Sequence, residues 1–185
     1  MKLITRKRKG FTLVEILLVV GFIALAGIGI YTVYTKVQMS NAALQEGKNL
    51  DTIRAGTKNL FGGTQTYANI SNIVLNDARI TPDSMRPIPY QQGASSITNS
   101  FGGSVQVAAV ALGGGSNNGF SVDYPKVPGA VCAKLVTGAG TGWDQVTVGG
   151  LVVKPFGTGA LDIVNLTKQC AGDNGNGIDI VFSSL

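Results

Sequence analysis

The chain has 185 residues, enough for one domain and an accessory segment, and 44% of them are apolar against only 14% charged. Its formal charge of +5 is a property of one end: Lys2, Arg6, Lys7, Arg8 and Lys9 precede the first acid, and the rest carries ten basic against ten acidic side chains. That distribution argues against a nucleic-acid surface, which needs basic residues spread over a folded body, and the absence of histidine removes the commonest general base and metal ligand.

Behind the basic cluster, Phe11 to Tyr34 is almost wholly apolar. As a helix this stretch reaches about 36 Å, enough to cross a hydrocarbon core. It is too long for the apolar part of a secretory signal, and no small-residue cleavage site follows it. Tyr31 and Tyr34 suit a membrane interface with Lys36 just outside, and the basic flank orients the segment with that end cytoplasmic. One acid, Glu15, interrupts the run. Insertion scales place a central acid at about 2.5 to 3.5 kcal/mol unfavourable, a cost that snorkelling near the membrane edge reduces. A carboxylate kept there points to a function and a partner.

Residues 35 to 61 contain no proline, and Met39, Ala42, Ala43, Leu50, Ile53 and Leu60 recur at spacings of three, four and seven. That periodicity predicts an amphipathic continuation, with Gln45, Lys48, Asn49, Asp51 and Arg54 on the opposite face, ended by Gly62-Gly63. The expectation is one helix of roughly 50 residues, half in membrane and half against a domain. Gly21, Gly27 and Gly29 mark either close helix–helix contacts or places where it loosens.

The texture changes after Gly63. Tyr67 to Arg79 holds a short helix starting near Ser71 or Asn69, and Thr81 to Pro89, with three prolines, reads as an irregular connection. Strand-like runs follow at Ser104 to Leu112, Gly119 to Asp123, Gln145 to Val148, Leu151 to Lys154 and Ile178 to Phe182, separated by glycine-rich turns. Ala130 to Val136 fits a strand or a short helix. Gly149-Gly150 is the clearest hairpin. The fold class expected is α+β, a long N-terminal helix packed on a C-terminal antiparallel sheet. Cys132 and Cys170 form a disulfide if this body is exported; the alternative is two separate buried thiols.

Lys9-Gly10-Phe11-Thr12-Leu13-Val14-Glu15 resembles the class III signal of the type IV pilin superfamily. The resemblance implies a leader of residues 1–10, cut by a prepilin peptidase between Gly10 and Phe11, and N-methylation of Phe11. It also implies a helix with a membrane-spanning or filament-core half, 11–34, an amphipathic half, 35–61, and a globular head, 62–185, with a disulfide-bounded segment 132–170. Ile97-Thr98-Asn99-Ser100-Phe101-Gly102-Gly103 looks like the Asn-Pro-Phe-Gly-Gly segment of several type IVb pilins, and the surroundings of Cys132 and Cys170 look like that subclass. The short leader and Phe11 instead look like type IVa, whereas the helix-kinking proline of many type IVa pilins is missing. The body reads as type IVb-like behind a type IVa-like leader.

The function so implied is that of a major pilin, in which Glu15 pairs with the α-ammonium of Phe11 on a neighbour, serving adhesion, aggregation, motility or conjugation. The implied partners are the prepilin peptidase, other pilin subunits in a helical homopolymer, the assembly platform, the assembly ATPase, the outer-membrane secretin and, before assembly, the inner membrane. Alternatives are a minor pilin, a type II secretion pseudopilin or a membrane-anchored periplasmic binding module. No catalytic constellation is expected: a serine nucleophile has no histidine partner and no Gly-x-Ser-x-Gly is present. No cofactor or metal is expected either. Asp173 to Asp179 has glycines where an EF-hand needs ligands and reads as a turn, and Trp143 reads as packed on the sheet rather than as an exposed ligand contact.

Overall fold

The computed structural model describes residues 10–64 and 66–185. Residues 1–9, which hold the basic cluster and most of the expected leader, lie outside the described residues. Two compact units are present, one ending at Met39 and one running from Ser40 to Leu185.

Helix α1, Leu13–Phe61, spans 49 residues without a break. Its start follows from Thr12, whose Oγ1 and backbone oxygen both accept the Glu15 N–H, at 3.3 and 3.0 Å. It stops before Gly62-Gly63, where Thr64 turns back to donate its N–H and hydroxyl to the Phe61 carbonyl. In the first unit the helix is exposed along its apolar length. In the second, the face turned to the core is Ala43, Glu46, Asn49, Leu50, Ile53 and Thr57. This corrects the expected stripe. Met39 and Leu60 are exposed, whereas Asn49, placed on the solvent side, is buried together with Glu46.

Beyond α1, Ser71 caps α2, Asn72–Asp77, by accepting the Val74 N–H. A single 3-10 turn, Asp83–Met85, sits in the proline-rich connection. The strands are β1, Gln106–Val110; β2, Gly119–Val127; β3, Gln145–Val148; β4, Leu151–Lys154; and β5, Ile178–Ser184. They form one antiparallel sheet in the order β1-β2-β5-β3-β4. Gly149 and Gly150 make the β3–β4 turn with φ of +56° and +83°, the left-handed pair that a two-residue hairpin demands. The ambiguous stretch around Cys132 is helix α3, Gly129–Ala139, set off by Pro128 at its N-cap. A further helix, α4, Ile163–Ala171, had no counterpart in the sequence reading; Asp162 caps it through the Asn165 N–H at 3.0 Å.

One core joins α1 to the sheet and to α3 and α4, with Leu50, Ile53, Phe120, Tyr124, Leu135, Leu166, Ile180 and Phe182 at its centre. An aromatic chain runs through it from Phe61 to Tyr67, Phe120, Trp143 and Phe182, with successive ring centroids 5.2–5.7 Å apart. Trp143 is 1% exposed and so is a packing residue.

Lys154 is the least expected member of the interior. Alternation with Val152 would place it outward, but a bulge at Val153 pairs Lys154 with Val146 and turns it to the core. Its ammonium donates to the carbonyls of Gly140, Thr141 and Trp143 at 3.1, 3.1 and 2.6 Å, so the end of α3 and the 3-10 turn after it supply its counter-dipole. The sheet's edges are also covered. The Asn72 amide accepts the Val107 N–H at 2.8 Å and donates to the Val105 carbonyl at 2.8 Å, standing in for a neighbouring strand on β1. On β4, the Asp162 N–H takes the Val153 carbonyl at 2.7 Å.

Cys132 on α3 and Cys170 on α4 are joined, closing a loop with a sequence separation of 38. That separation corresponds to up to about 4 kcal/mol by chain entropy. Thermal melts with and without reductant should show a large fall in Tm on reduction, and an unchanged Tm would mean the helices hold each other without the bridge.

Candidate functional site

Gly10, Phe11 and Glu15 lie together at the start of α1. Phe11 is 80% exposed, and a Cβ on Gly10 would meet nothing within 4 Å. Glu15 is in the first helical turn, and Phe11, two residues before the helix begins, lines one shallow hollow with it. An acid in a first turn is favoured by the unpaired N–H groups and dipole there. Thr12 and Glu15 also stand in the Thr-x-x-Glu arrangement of a capping box. Both positions follow Gly10, so a chain cut there would keep its helix start. The threonine was a signal present in the sequence but not used: it marks where the helix begins, and its hydroxyl receives the Glu15 N–H.

Further along, Gly21, Gly27 and Gly29 leave open space where a side chain would be. The helix passes through all three without loosening. Among the described residues nothing approaches these three positions, so they are open to close approach by another helix.

The head carries a second acid that sequence reasoning missed. Glu46 is wholly buried. The gap between Ala43 and Leu50 in the apolar stripe was the available signal, since a position three after Ala43 faces the same way. One carboxylate oxygen accepts the Ser100 N–H at 2.9 Å and the Ser100 hydroxyl, and the other accepts the Asn49 side-chain amide at 3.2 Å.

Glu46 thereby grips the segment that echoed type IVb pilins, and the geometry accounts for that segment residue by residue. Asn99 Oδ1 accepts the N–H groups of Phe101 and Gly103 at 3.0 and 2.8 Å, and its amide donates to the Pro125 carbonyl of β2 at 2.7 Å. Gly102 has a φ of +78°, and a Cβ on Gly103 would lie 2.2 Å from the Pro125 oxygen. The loop is therefore a bracket between α1 and β2 with no room for a side chain at Gly103 and a backbone that favours glycine at Gly102.

Asp173 organises the turn before β5. One oxygen accepts the Gly129 N–H at the start of α3 at 2.8 Å; the other accepts those of Gly175 and Gly177 at 2.8 and 3.0 Å. These donors, Gly129 first, hold the carboxyl below the usual aspartate range. With its oxygens turned to N–H groups, Asp173 is an anchor rather than a cation ligand, and no cluster of three metal-ligating side chains is present among the described residues. Asp123 on β2 shifts the other way, raised by burial and then by the Asp179 charge.

The sign for Asp173 follows from linkage. Its folded pKa lies below the unfolded one, so its contribution is complete above the unfolded value and is lost as pH falls through the folded value. Chemical denaturation from neutral pH into acid should show stability falling below the ordinary aspartate range. Asp173→Asn should be less stable at neutral pH and show a flatter acid dependence; an identical acid slope would remove Asp173 from the account.

A search of curated protein sequences found no match. Among solved structures, a type IVb pilin from Salmonella typhi is similar with a TM-score of 0.57 and 27% identity, over 75% of this chain and 96% of that one. TcpA, a type IV pilin from the El Tor biotype of Vibrio cholerae, gives a TM-score of 0.57 over 79% and 100% of the two chains; at 16% identity this is a likeness of fold. A family model described as PilS N terminal matches residues 40–184, starting where the head unit starts. The long helix on an antiparallel sheet and this match together place the chain in the PilS family, as a type IV pilin.

Proposed function

We propose that this pilin is the major structural subunit of a type IV pilus, cut after Gly10, N-methylated at Phe11 and polymerised through α1. The observation that carries the reading is the N-terminal stretch of α1. It is long and apolar enough to cross a membrane, yet its side chains are exposed in the single chain, with Glu15 one turn after Phe11. Such a surface needs a cover, first lipid and then neighbouring helices.

Cleavage at Gly10 would create an α-ammonium at the positive end of the helix dipole, an unfavourable place for it. A carboxylate within reach offsets that. In a packed bundle of subunits, Glu15 would take the Phe11 ammonium of a neighbour, since an uncompensated charge in a low-dielectric core is costly and a paired one is tolerated. The pair would set the axial register of an incoming subunit while its apolar surface moves from lipid to protein. The open positions at Gly21, Gly27 and Gly29 would allow helices to approach closely.

In this reading the precursor sits in the bacterial inner membrane, a prepilin peptidase processes it, and a platform, an assembly ATPase and an outer-membrane secretin deliver the extracellular filament. Adhesion, aggregation, motility or conjugation would be tasks of the head's outer surface.

Gly10→Val should block processing and leave a precursor of lower mobility on denaturing gels. Glu15→Ala should leave processed subunit in the membrane with filaments reduced to a small fraction of wild type, counted by electron microscopy of sheared surface material. Abundant normal filaments from Glu15→Ala would sink the pairing. Mass spectrometry of the native N-terminus should find N-methyl-phenylalanine, and an intact Met1 terminus would favour an anchored binding module instead.

A further inference from the structure

The chain has three Asn-Gly pairs, Asn118-Gly119, Asn174-Gly175 and Asn176-Gly177. In such pairs the glycine backbone nitrogen, on losing its proton, attacks the side-chain carbonyl carbon of the asparagine. A C–N bond closes a five-membered succinimide, the bond to the side-chain nitrogen breaks, and ammonia leaves. Water then opens the ring to aspartate or isoaspartate. Glycine offers no Cβ to hinder the attack, so exposed Asn-Gly pairs are the most susceptible. Asn174 and Asn176 are both exposed, side by side in one turn.

The two nitrogens that would attack are those of Gly175 and Gly177, and both N–H groups donate to the same oxygen, Oδ1 of Asp173, at 2.8 and 3.0 Å. Its other oxygen is pinned to the Gly129 N–H at 2.8 Å, so the carboxylate cannot swing away without releasing the start of α3. This opposes ring closure in two ways. Each nitrogen's proton is aimed at Asp173 rather than released, and the negative amide nitrogen needed for attack would form against a carboxylate charge. The third pair is held differently. The Asn118 amide accepts the Leu112 N–H at 2.8 Å and donates to the Leu112 carbonyl at 2.7 Å, so the group that would have to turn onto Gly119 is itself occupied.

We propose that Asn174 and Asn176 are latent deamidation sites and that Asp173 keeps both closed. The turn's glycines are required by its shape, with φ of +89° at Gly175 and +77° at Gly177, so the hazard belongs to the turn and the carboxylate is its restraint. The chemistry is independent of filament formation.

The test uses the purified full chain in detergent, incubated at mildly alkaline pH. Aspartate and isoaspartate are quantified at positions 118, 174 and 176 by peptide mass spectrometry. Native wild type should convert at 174 and 176 roughly tenfold more slowly than the same chain held in urea, the factor expected for one retained hydrogen bond to a charged group. Native Asp173→Ala should lose that protection at 174 and 176 while position 118 stays slow, an internal clock for the rest of the fold. Equal rates in native and denatured wild type would overturn the proposal without any variant. So would Asp173→Ala rates unchanged at 174 and 176, or raised equally at 118, which would mean general loosening.

Discussion

Taking a carboxylate out of water costs several kcal/mol unless hydrogen bonds replace its hydration, and Glu46 is buried with no cation to meet it among its hydrogen-bond partners. What replaces water is the Ser100 backbone and hydroxyl together with the Asn49 amide. The loop from Ile97 to Gly103 must therefore lie against α1, and Asn99 must reach Pro125 to hold the loop's other side. Helix, loop and sheet are fastened by this one hydrogen-bonded chain, around which the apolar core packs. Lys154 repeats the solution with opposite sign, its ammonium answered by three carbonyls. Both buried groups are met by neutral hydrogen-bonding partners rather than by an opposite charge.

One helix thus carries acids of two kinds. Glu46 is spent inside the head. Glu15 stands in a first turn next to an exposed Phe11, with no such bracket around it among the described residues. The difference explains why the head can be complete in a single chain while the start of α1 calls for a cover. If the proposed cleavage and assembly occur, the same physical rule that governs Glu46 applies to Glu15, and its hydration is replaced by another subunit rather than by a loop.

The sheet's order has a related consequence. The strand latest in sequence, β5, lies between β2 and β3, so the centre of the sheet rests on pairings distant along the chain, with α3, α4 and the disulfide falling between β2 and β5 in sequence. Its outer strands are already met by Asn72 and by the Asp162 backbone. Contacts of this kind disfavour strand exchange with a neighbour at the positions they occupy.

Much of this was legible from residue order alone. The membrane-length run, the end of the long helix at Gly62-Gly63, the β3–β4 hairpin and the isolated Glu15 all rest on local rules: hydrophobic run length, glycine conformation and charge in an apolar context. The helix α4 was missed although Asp162, Leu166 and Cys170 have the spacing of a capped amphipathic helix, because nine residues give a periodic pattern little more than two turns in which to show. What local rules cannot reach is which polar group ends up enclosed. Glu46 falls in line with the apolar stripe and Asn49 lies beside Leu50, yet both residue types read as solvent-facing without the partner loop. Lys154 looks like an outward strand residue until the bulge at Val153 reverses it. The sequence by itself determined the long helix, the head's α+β character and the position of the lone acid in the apolar run. Only the tertiary structure decided where the buried charges lie, since a polar side chain goes inside only where distant backbone groups converge to replace its water.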